Sequence, residues 1–197
     1  MSVALLAVAA TLNASEVRLP ELGGHPKARF PLALYVAPVP EEALRPPLDR
    51  AVADWNRLFR DALGVDAFTR SATEQDAAVI VRLGGGDAKL MGTTGLTVDD
   101  TGVIELPVRV TISAPKQRGE TSRESVLYQV AAHELGHALG LGHVRDPSSI
   151  MCCIKGGLDF DDRAVRDAYV AARREPRIES MRRQLVEHYR AFWKNAR

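Results

Sequence analysis

The chain has 197 residues, of which 46% are hydrophobic and 26% are charged, as is typical of one globular domain. This composition excludes a disordered chain and a membrane bundle, and a formal net charge of +1 gives no overall attraction to nucleic acid. The two cysteines are adjacent, at Cys152 and Cys153, which excludes a multi-disulfide scaffold and a four-cysteine zinc module.

The N-terminal segment, residues 1–14, contains a short apolar run at 3–10 followed by small residues. It resembles the apolar region and cleavage zone of a secretory signal, and it is too short to span a bilayer. The basic residues that normally precede such a run are missing, so a truncated export segment and a buried strand or helix stay open as alternatives. The expected location is secreted or periplasmic.

In the first half of the chain, the apolar patterns and the positions of proline and glycine predict several strands and one helix. Pro46 and Pro47 suit the first turn of that helix, and Gly64 is placed to end it. Pro107 interrupts an alternating apolar pattern, and its missing N–H indicates a bulge or a sheet edge. The strands are predicted over 29–36, 77–83, about 90–98 and 103–112.

The second half predicts helices. Thr121 and Glu124 form a capping-box pattern, and apolar spacing continues the helix from about 122 to Gly140. Together with the strands, this order of elements predicts an α/β (α+β) fold with a mixed sheet and helices packed against it.

The C-terminal residues are strongly basic. Residues 163–197 hold ten Lys and Arg against four Asp and Glu, an excess of six positive charges. Pro176 separates a helix near 161–174 from an amphipathic helix at 177–195. We interpret 176–197 as a terminal helix that docks by its apolar stripe, with binding of an anionic partner as the alternative.

Three of the five histidines lie within eleven residues, at His133, His137 and His143. Histidines at i and i+4 share one helix face, so His133 and His137 can direct their imidazoles at one zinc ion. In a continuous helix His143 would lie roughly 240° further round and face away. A turn at Gly140, which can adopt positive φ, would bring His143 back to the metal as a third ligand.

Glu134 follows the first histidine, and this HExxH arrangement places its carboxylate beside the metal without occupying it. From there it can hold and deprotonate a water whose pKa zinc has lowered. The alternative is a helix with ordinary core or surface histidines. The two isolated histidines, His25 and His188, are interpreted as surface or packing residues.

The extended motif from His133 to His143, followed by Asp146 to Met151, resembles the metzincin clan of zinc endopeptidases, and its matrixin-like members in particular. The resemblance implies a twisted mixed sheet, an active-site helix and C-terminal helices, with a catalytic domain over 28–175. It implies that Met151 is the Met-turn residue, packed beneath the zinc.

The resemblance also implies that residues 90–97 form the sheet edge above the cleft, where an extended substrate would add as a strand. Gly92, Thr93 and Gly95 are therefore candidate substrate-binding residues. Cys152 and Cys153 stand in the segment that would form the wall of the S1′ pocket. They are interpreted as free thiols, a vicinal disulfide or a redox-responsive element, and a thiolate on the zinc is a further alternative.

The chain departs from the matrixin pattern in other respects. No histidine lies between His25 and His133 to build a structural zinc site, so one zinc ion per chain is predicted. No cysteine precedes Cys152, so the cysteine switch of matrixin propeptides is absent from this sequence. The acidic pairs and triplets at Asp99, Asp100, Asp159, Asp161 and Asp162 could bind calcium, but such groups at turns are more often solvated.

The sequence therefore predicts a monomeric zinc endopeptidase that acts on protein or peptide substrates, with no nucleic-acid partner and no transmembrane segment. Two alternatives remain: a metal-holding module that works by protein interaction, and a protease restricted to self-processing or to one dedicated substrate.

Overall fold

A computed structural model describes residues 6–10, 23–84, 91–117, 119, 121–153 and 156–195. They form a six-stranded mixed sheet with helices packed against it, which confirms the predicted fold class. The strands are β1 (Leu6–Ala10), β2 (Leu32–Val36), β3 (Phe68–Arg70), β4 (Val79–Leu83), β5 (Gly92–Leu96) and β6 (Val108–Ile112). The helices are α1 (Arg45–Leu63), α2 (Arg123–Ala138), α3 (Arg163–Arg174) and α4 (Arg182–Asn195).

The strand order is β1-β5-β6-β4-β2-β3. Strands β3, β2, β4 and β6 run parallel to one another, whereas β5 is antiparallel to both β6 and β1. The short strand β3 was not predicted. The expectation that residues 90–97 form the sheet edge is wrong for the described structure, because β1 pairs along the outer side of β5 from Leu6 opposite Leu96 to Ala10 opposite Gly92.

The segment resembling a secretory signal is thus in part a strand. Residues 6–10 form β1, and the rest of 1–14 lies outside the described residues. No helix in the described part of the chain is long and apolar enough to cross a membrane.

Strand β6 is shorter than the alternating pattern predicts. It begins at Val108, directly after Pro107, so the proline lies outside the ladder rather than in a bulge. Residues 103–107 make only isolated bridges, including the pair Val98 and Ile104. A proline cannot donate to a neighbouring strand, and β6 is central in the sheet, so the ladder begins where the donors begin.

The first helix matches its prediction. Gly64 ends α1 with a φ of 76°, and its N–H donates to Arg60 O. Trp55 of α1 is fully buried and donates from Nε1 to the carbonyl of Ala132 in α2 over 2.9 Å. This buried hydrogen bond therefore joins α1 to α2.

The C-terminal region docks through its apolar stripe, as predicted. A 3-10 turn at Ile178–Met181 leads into α4, and Trp193 Nε1 donates to His25 O over 2.9 Å. The buried residues of this region are Ile178, Met181, Leu185, Tyr189 and Phe192.

Candidate metal centre and active site

Helix α2 carries two of the three predicted ligands. Its N-cap is Ser122, whose side chain accepts from Ser125 N over 3.2 Å, one residue after the expected cap at Thr121. His133 and His137 follow one helical turn apart, and both are buried. The local spacing of the sequence is therefore sufficient to place these two imidazoles on one face.

The turn predicted at Gly140 is present. Helix α2 ends at Ala138, and Gly140 adopts a φ of 82°. A Cβ at this position would fall 2.3 Å from Gly23 O, so the turn is also too tight for a side chain. The reversal brings His143 back to the other two histidines.

The three Nε2 atoms converge on one point. His137 Nε2 lies 3.0 Å from His133 Nε2, and His143 Nε2 lies 3.2 Å from each of them. Tetrahedral zinc with Zn–N bonds of 2.0–2.1 Å would hold two such nitrogens about 3.3 Å apart. Within the described residues, these histidines form a group of side chains close enough to hold a metal ion, and their spacing fits zinc.

Two backbone carbonyls select the tautomers of the helical ligands. His133 Nδ1 lies 2.8 Å from Ile150 O, and His137 Nδ1 lies 2.8 Å from Leu141 O. Because a carbonyl can only accept, each Nδ1 carries the proton and each Nε2 is left with a lone pair. The Nε2 lone pairs of both histidines are therefore free to coordinate a cation.

Burial keeps these imidazoles neutral. It lowers the pKa of His133 to about 3, and the nearby charges of His143 and Arg173 act in the same direction. The pKa of His137 is also lowered well below its usual value, chiefly by burial, and that of His143 is lowered by burial. Neutral imidazole is the form that binds zinc.

Glu134 lies beside this cluster with no exposed surface. Its Oε2 accepts from the hydroxyl of Thr94 over 2.7 Å, while Oε1 is buried and has no hydrogen-bond partner among the described residues. Burial raises the pKa of Glu134 to about 8, against the opposing effect of the Thr94 hydroxyl. One carboxylate oxygen is thus anchored and the other is available.

Strand β5 passes directly over Glu134. A Cβ on Gly92 would fall 2.5 Å from Glu134 Oε1, so only glycine allows this approach. Thr93 is half-buried and Gly95 is exposed, and all three candidate substrate-binding residues of this strand pair with β1 in the described structure. Thr94 was not among the predicted site residues, although it is fully buried and contacts Glu134.

Met151 lies under α2, where the resemblance places the Met-turn. Its side chain is fully buried, and a Cβ on Gly136 would fall 2.6 Å from its sulfur. Its carbonyl accepts from Val144 N over 3.1 Å, one residue after the third histidine. Gly136 is therefore the residue that allows Met151 to pack against the ligand helix.

Cys152 and Cys153 are joined by a disulfide, so the structure favours that alternative over two free thiols. Cys152 is buried and Cys153 is half-buried. They directly follow Met151, and Cys152 forms an isolated bridge with Val144, the residue after the third histidine. Their place in a pocket wall stays a prediction.

The last carbonyls of α2 are satisfied by side chains. His25 Nε2 lies 2.9 Å from Ala138 O, and the Tyr189 hydroxyl donates to Leu139 O over 2.9 Å. Helix ends leave such carbonyls without partners, so these two residues help to fix the end of the ligand helix. The sequence offered only a general packing role for His25 and gave no signal for Tyr189.

Three of the five acidic residues considered for calcium accept backbone hydrogen bonds in the described structure. Asp162 caps α3 by accepting from Ala164 N over 2.7 Å, and Asp99 accepts from Thr101 N over 2.8 Å within a turn. Asp159 accepts from Asp161 N over 3.0 Å. Calcium binding stays untested.

Three imidazoles converge on one point, and the residue that follows the first of them in α2 is the buried Glu134, so these residues form a candidate zinc site. The sequence model of the Matrixin family matches residues 44–165, which is more than half of the chain. The protein therefore belongs to the matrixin family of metalloendopeptidases.

Proposed function

We propose that this protein is a zinc-dependent endopeptidase in which His133, His137 and His143 bind one zinc ion and Glu134 is the general base. The observation that carries the proposal is the convergence of three Nε2 lone pairs beside a buried carboxylate whose Oε1 has no partner among the described residues. Membership of the matrixin family supports this class of activity.

Zinc held by the three histidines would supply Lewis acidity toward a water molecule and the scissile carbonyl. Glu134 Oε1 accepts the proton of the attacking water and later delivers it to the nitrogen of the departing amine. Thr94 holds Oε2 throughout, so the carboxylate does not rotate between the two steps.

The substrate in this proposal is an extended peptide that pairs with β5. Gly92 and Gly95 allow a backbone to approach closely, and Thr93 contributes the intervening backbone groups. In the structure β1 occupies this side of β5, so a peptide reaches the strand by taking the place of β1. The segment that begins at Cys152 and Cys153 would line the pocket on the primed side.

The test is elemental analysis of the purified protein, together with cleavage of a denatured protein substrate. We expect about one zinc per chain, loss of cleavage with a chelator and recovery with zinc. Glu134→Ala should retain the metal and lose cleavage by about a hundredfold or more. An exposed glutamate, Glu105→Ala, is the control that should change neither. Metal-free wild-type protein, or full activity of Glu134→Ala, would contradict the proposal.

The alternatives to general proteolysis have tests of their own. Mass spectrometry of the N-terminus after storage separates self-processing from general proteolysis. Tight capture of a partner that is unaffected by Glu134→Ala, with no proteolysis, would favour the metal-holding interaction module. Secretion, the monomeric state and an anionic partner for α4 stay predictions from the sequence.

A further inference from the structure

Arg173 is an arginine of α3 that reaches the segment after the metal ligands. Its side chain is half-buried, and its Cζ lies 4.3 Å from the centroid of the Tyr169 ring, one helical turn earlier. Burial lowers the pKa of this guanidinium. The group is therefore a cation that has lost much of its hydration.

The donors of Arg173 are only partly used: besides a side-chain hydrogen bond with Tyr169, its contacts are long. Nη1 and Nη2 lie 3.4 Å from the carbonyl oxygens of Ser149 and Cys152, at the outer limit of a hydrogen bond. Nε is buried and has no acceptor among the described residues. No carboxylate in the described ranges forms an ion pair with this side chain.

Arg123 shows the contrast. It too is partly buried, but its two terminal nitrogens each lie 2.7 Å from a carboxylate oxygen of Glu41. Such a two-point pair is the arrangement that best compensates a desolvated guanidinium. Arg173 lacks it, and a partly desolvated charge without a counter-charge is costly to maintain.

The location of Arg173 indicates what its partner is. Its Nη2 contacts the carbonyl of Cys152, which directly follows the buried Met151 under the ligand helix. Under the proposed function, this segment begins the wall of the pocket that receives the substrate residue just after the scissile bond. An anion delivered by the substrate would therefore arrive at a guanidinium that has no carboxylate partner among the described residues.

We propose that Arg173 is a specificity residue that binds the carboxylate of an Asp or Glu side chain immediately C-terminal to the scissile bond. This inference rests on the proposed endopeptidase function. It predicts a preference for acidic residues in a pocket whose other named lining is the disulfide of Cys152 and Cys153.

The experiment compares peptides that differ only in the residue after the cleaved bond, which is Glu, Asp, Gln or Leu. For the zinc-loaded wild type, we expect kcat/KM for the better acidic peptide to exceed that for Gln by about tenfold or more. Arg173→Gln should remove this preference and leave the Gln and Leu peptides within about threefold of wild type. Arg173→Lys should retain part of it, because it keeps the charge without the planar fork.

Arg174→Gln is the matched control, since it removes one positive charge from the neighbouring, exposed position of the same helix. It should leave the preference unchanged. A wild-type enzyme with no acidic preference overturns the inference. Equal losses for all four peptides in Arg173→Gln also overturn it, because they would show that Arg173 only supports the loop from Ser149 to Cys152.

Failure of the proposed endopeptidase function can be distinguished from failure of the Arg173 proposal. If the wild type cleaves neither these peptides nor a denatured protein, the binding of the Glu and Gln peptides to zinc-loaded Glu134→Ala is measured instead. Tighter binding of the Glu peptide, lost on adding Arg173→Gln, supports the anion site without catalysis, and equal binding overturns it. If Arg173→Gln does not fold, the wild-type Glu-to-Gln ratio and its reduction in Arg173→Lys decide the question.

Discussion

Gly92 lies directly against Glu134: a Cβ at position 92 would fall 2.5 Å from Oε1 of the glutamate and 2.7 Å from its Cγ. The strand and the carboxylate therefore share a space that only glycine leaves open. A side chain at position 92 would therefore clash with Glu134, although the two residues are 42 positions apart in sequence.

Gly92→Ala should displace the Glu134 carboxylate. A misplacement of about 1 Å at a catalytic group can lower the rate about a hundredfold, so we expect a loss in kcat of that order with zinc retained. Gly95→Ala is the comparison on the same strand for kcat, because its Cβ would meet only Arg109 O at 3.8 Å and would leave Glu134 in place; an effect through peptide pairing should raise KM instead. Steady-state kinetics and zinc analysis of both variants test this, and equal effects at the two positions would refute the steric account.

Thr94→Val should weaken the general base while keeping the shape of the side chain. It removes the hydroxyl that donates to Glu134 Oε2 over 2.7 Å inside the core. A hydrogen bond to a charged group contributes about 1.5–3 kcal/mol, so kcat should fall about tenfold to a hundredfold. Thr94→Ser restores a donor and should recover most of the rate. If Thr94→Ser and Thr94→Val lower kcat equally, the hydroxyl does not account for the loss of activity.

Gly140→Ala should disturb both the fold and the metal. The residue adopts positive φ, and a Cβ would fall 2.3 Å from the backbone oxygen of Gly23, which cannot rotate away. We expect a loss of about 2–4 kcal/mol in the free energy of unfolding and weaker zinc binding, because His143 follows this turn.

Gly142→Ala is the comparison for that variant, since nothing lies within 4 Å of its Cβ position. It should change stability by about 0.5 kcal/mol or less. Urea unfolding and competition with a zinc-binding dye measure the two quantities. A Gly140→Ala variant as stable as Gly142→Ala would show that the turn relaxes easily.

His25 should make stability depend on acid pH. It is fully buried, and burial lowers its folded-state pKa to about 4 from an ordinary value of 6.5. Between these values the unfolded chain binds more protons than the folded chain, so the free energy of unfolding falls as the pH falls from 6.5 to 4. One group contributes a slope of about 1.4 kcal/mol per pH unit within this window.

His25→Gln keeps a donor for Ala138 O and removes the titration. Its free energy of unfolding, measured in urea at the same zinc concentration as wild type, should fall less steeply below pH 6.5. The difference between the two proteins should be constant above pH 7. Parallel curves through the whole range would assign the acid sensitivity to other groups.

The cluster of three histidines could be predicted because its geometry depends on residues close together in sequence. Two ligands follow from helical periodicity, and the third follows from a single glycine that ends the helix. Thr94 could not be found in this way, because it lies 40 residues from Glu134 and a threonine in a strand carries no signal of its partner. The same holds for Tyr189, which contacts the end of α2 from 50 residues away.

The sheet was predicted less completely for a related reason. Alternation identifies β6, but it cannot show where the ladder stops at Pro107, since hydrogen bonding depends on the neighbouring strand. The pairing of β1 with β5 depends on register between distant segments, which composition alone does not specify.

The two carbonyls that receive the Nδ1 protons of His133 and His137 belong to Ile150 and Leu141, and both are main-chain atoms. No replacement of either side chain deletes these acceptors. A substitution of either side chain therefore leaves the Nδ1-protonated tautomers of His133 and His137 unchanged. Only a change in the path of the backbone would alter them. Under the proposed function, variation in the surrounding side chains could then alter substrate preference without changing which histidine atoms face the metal.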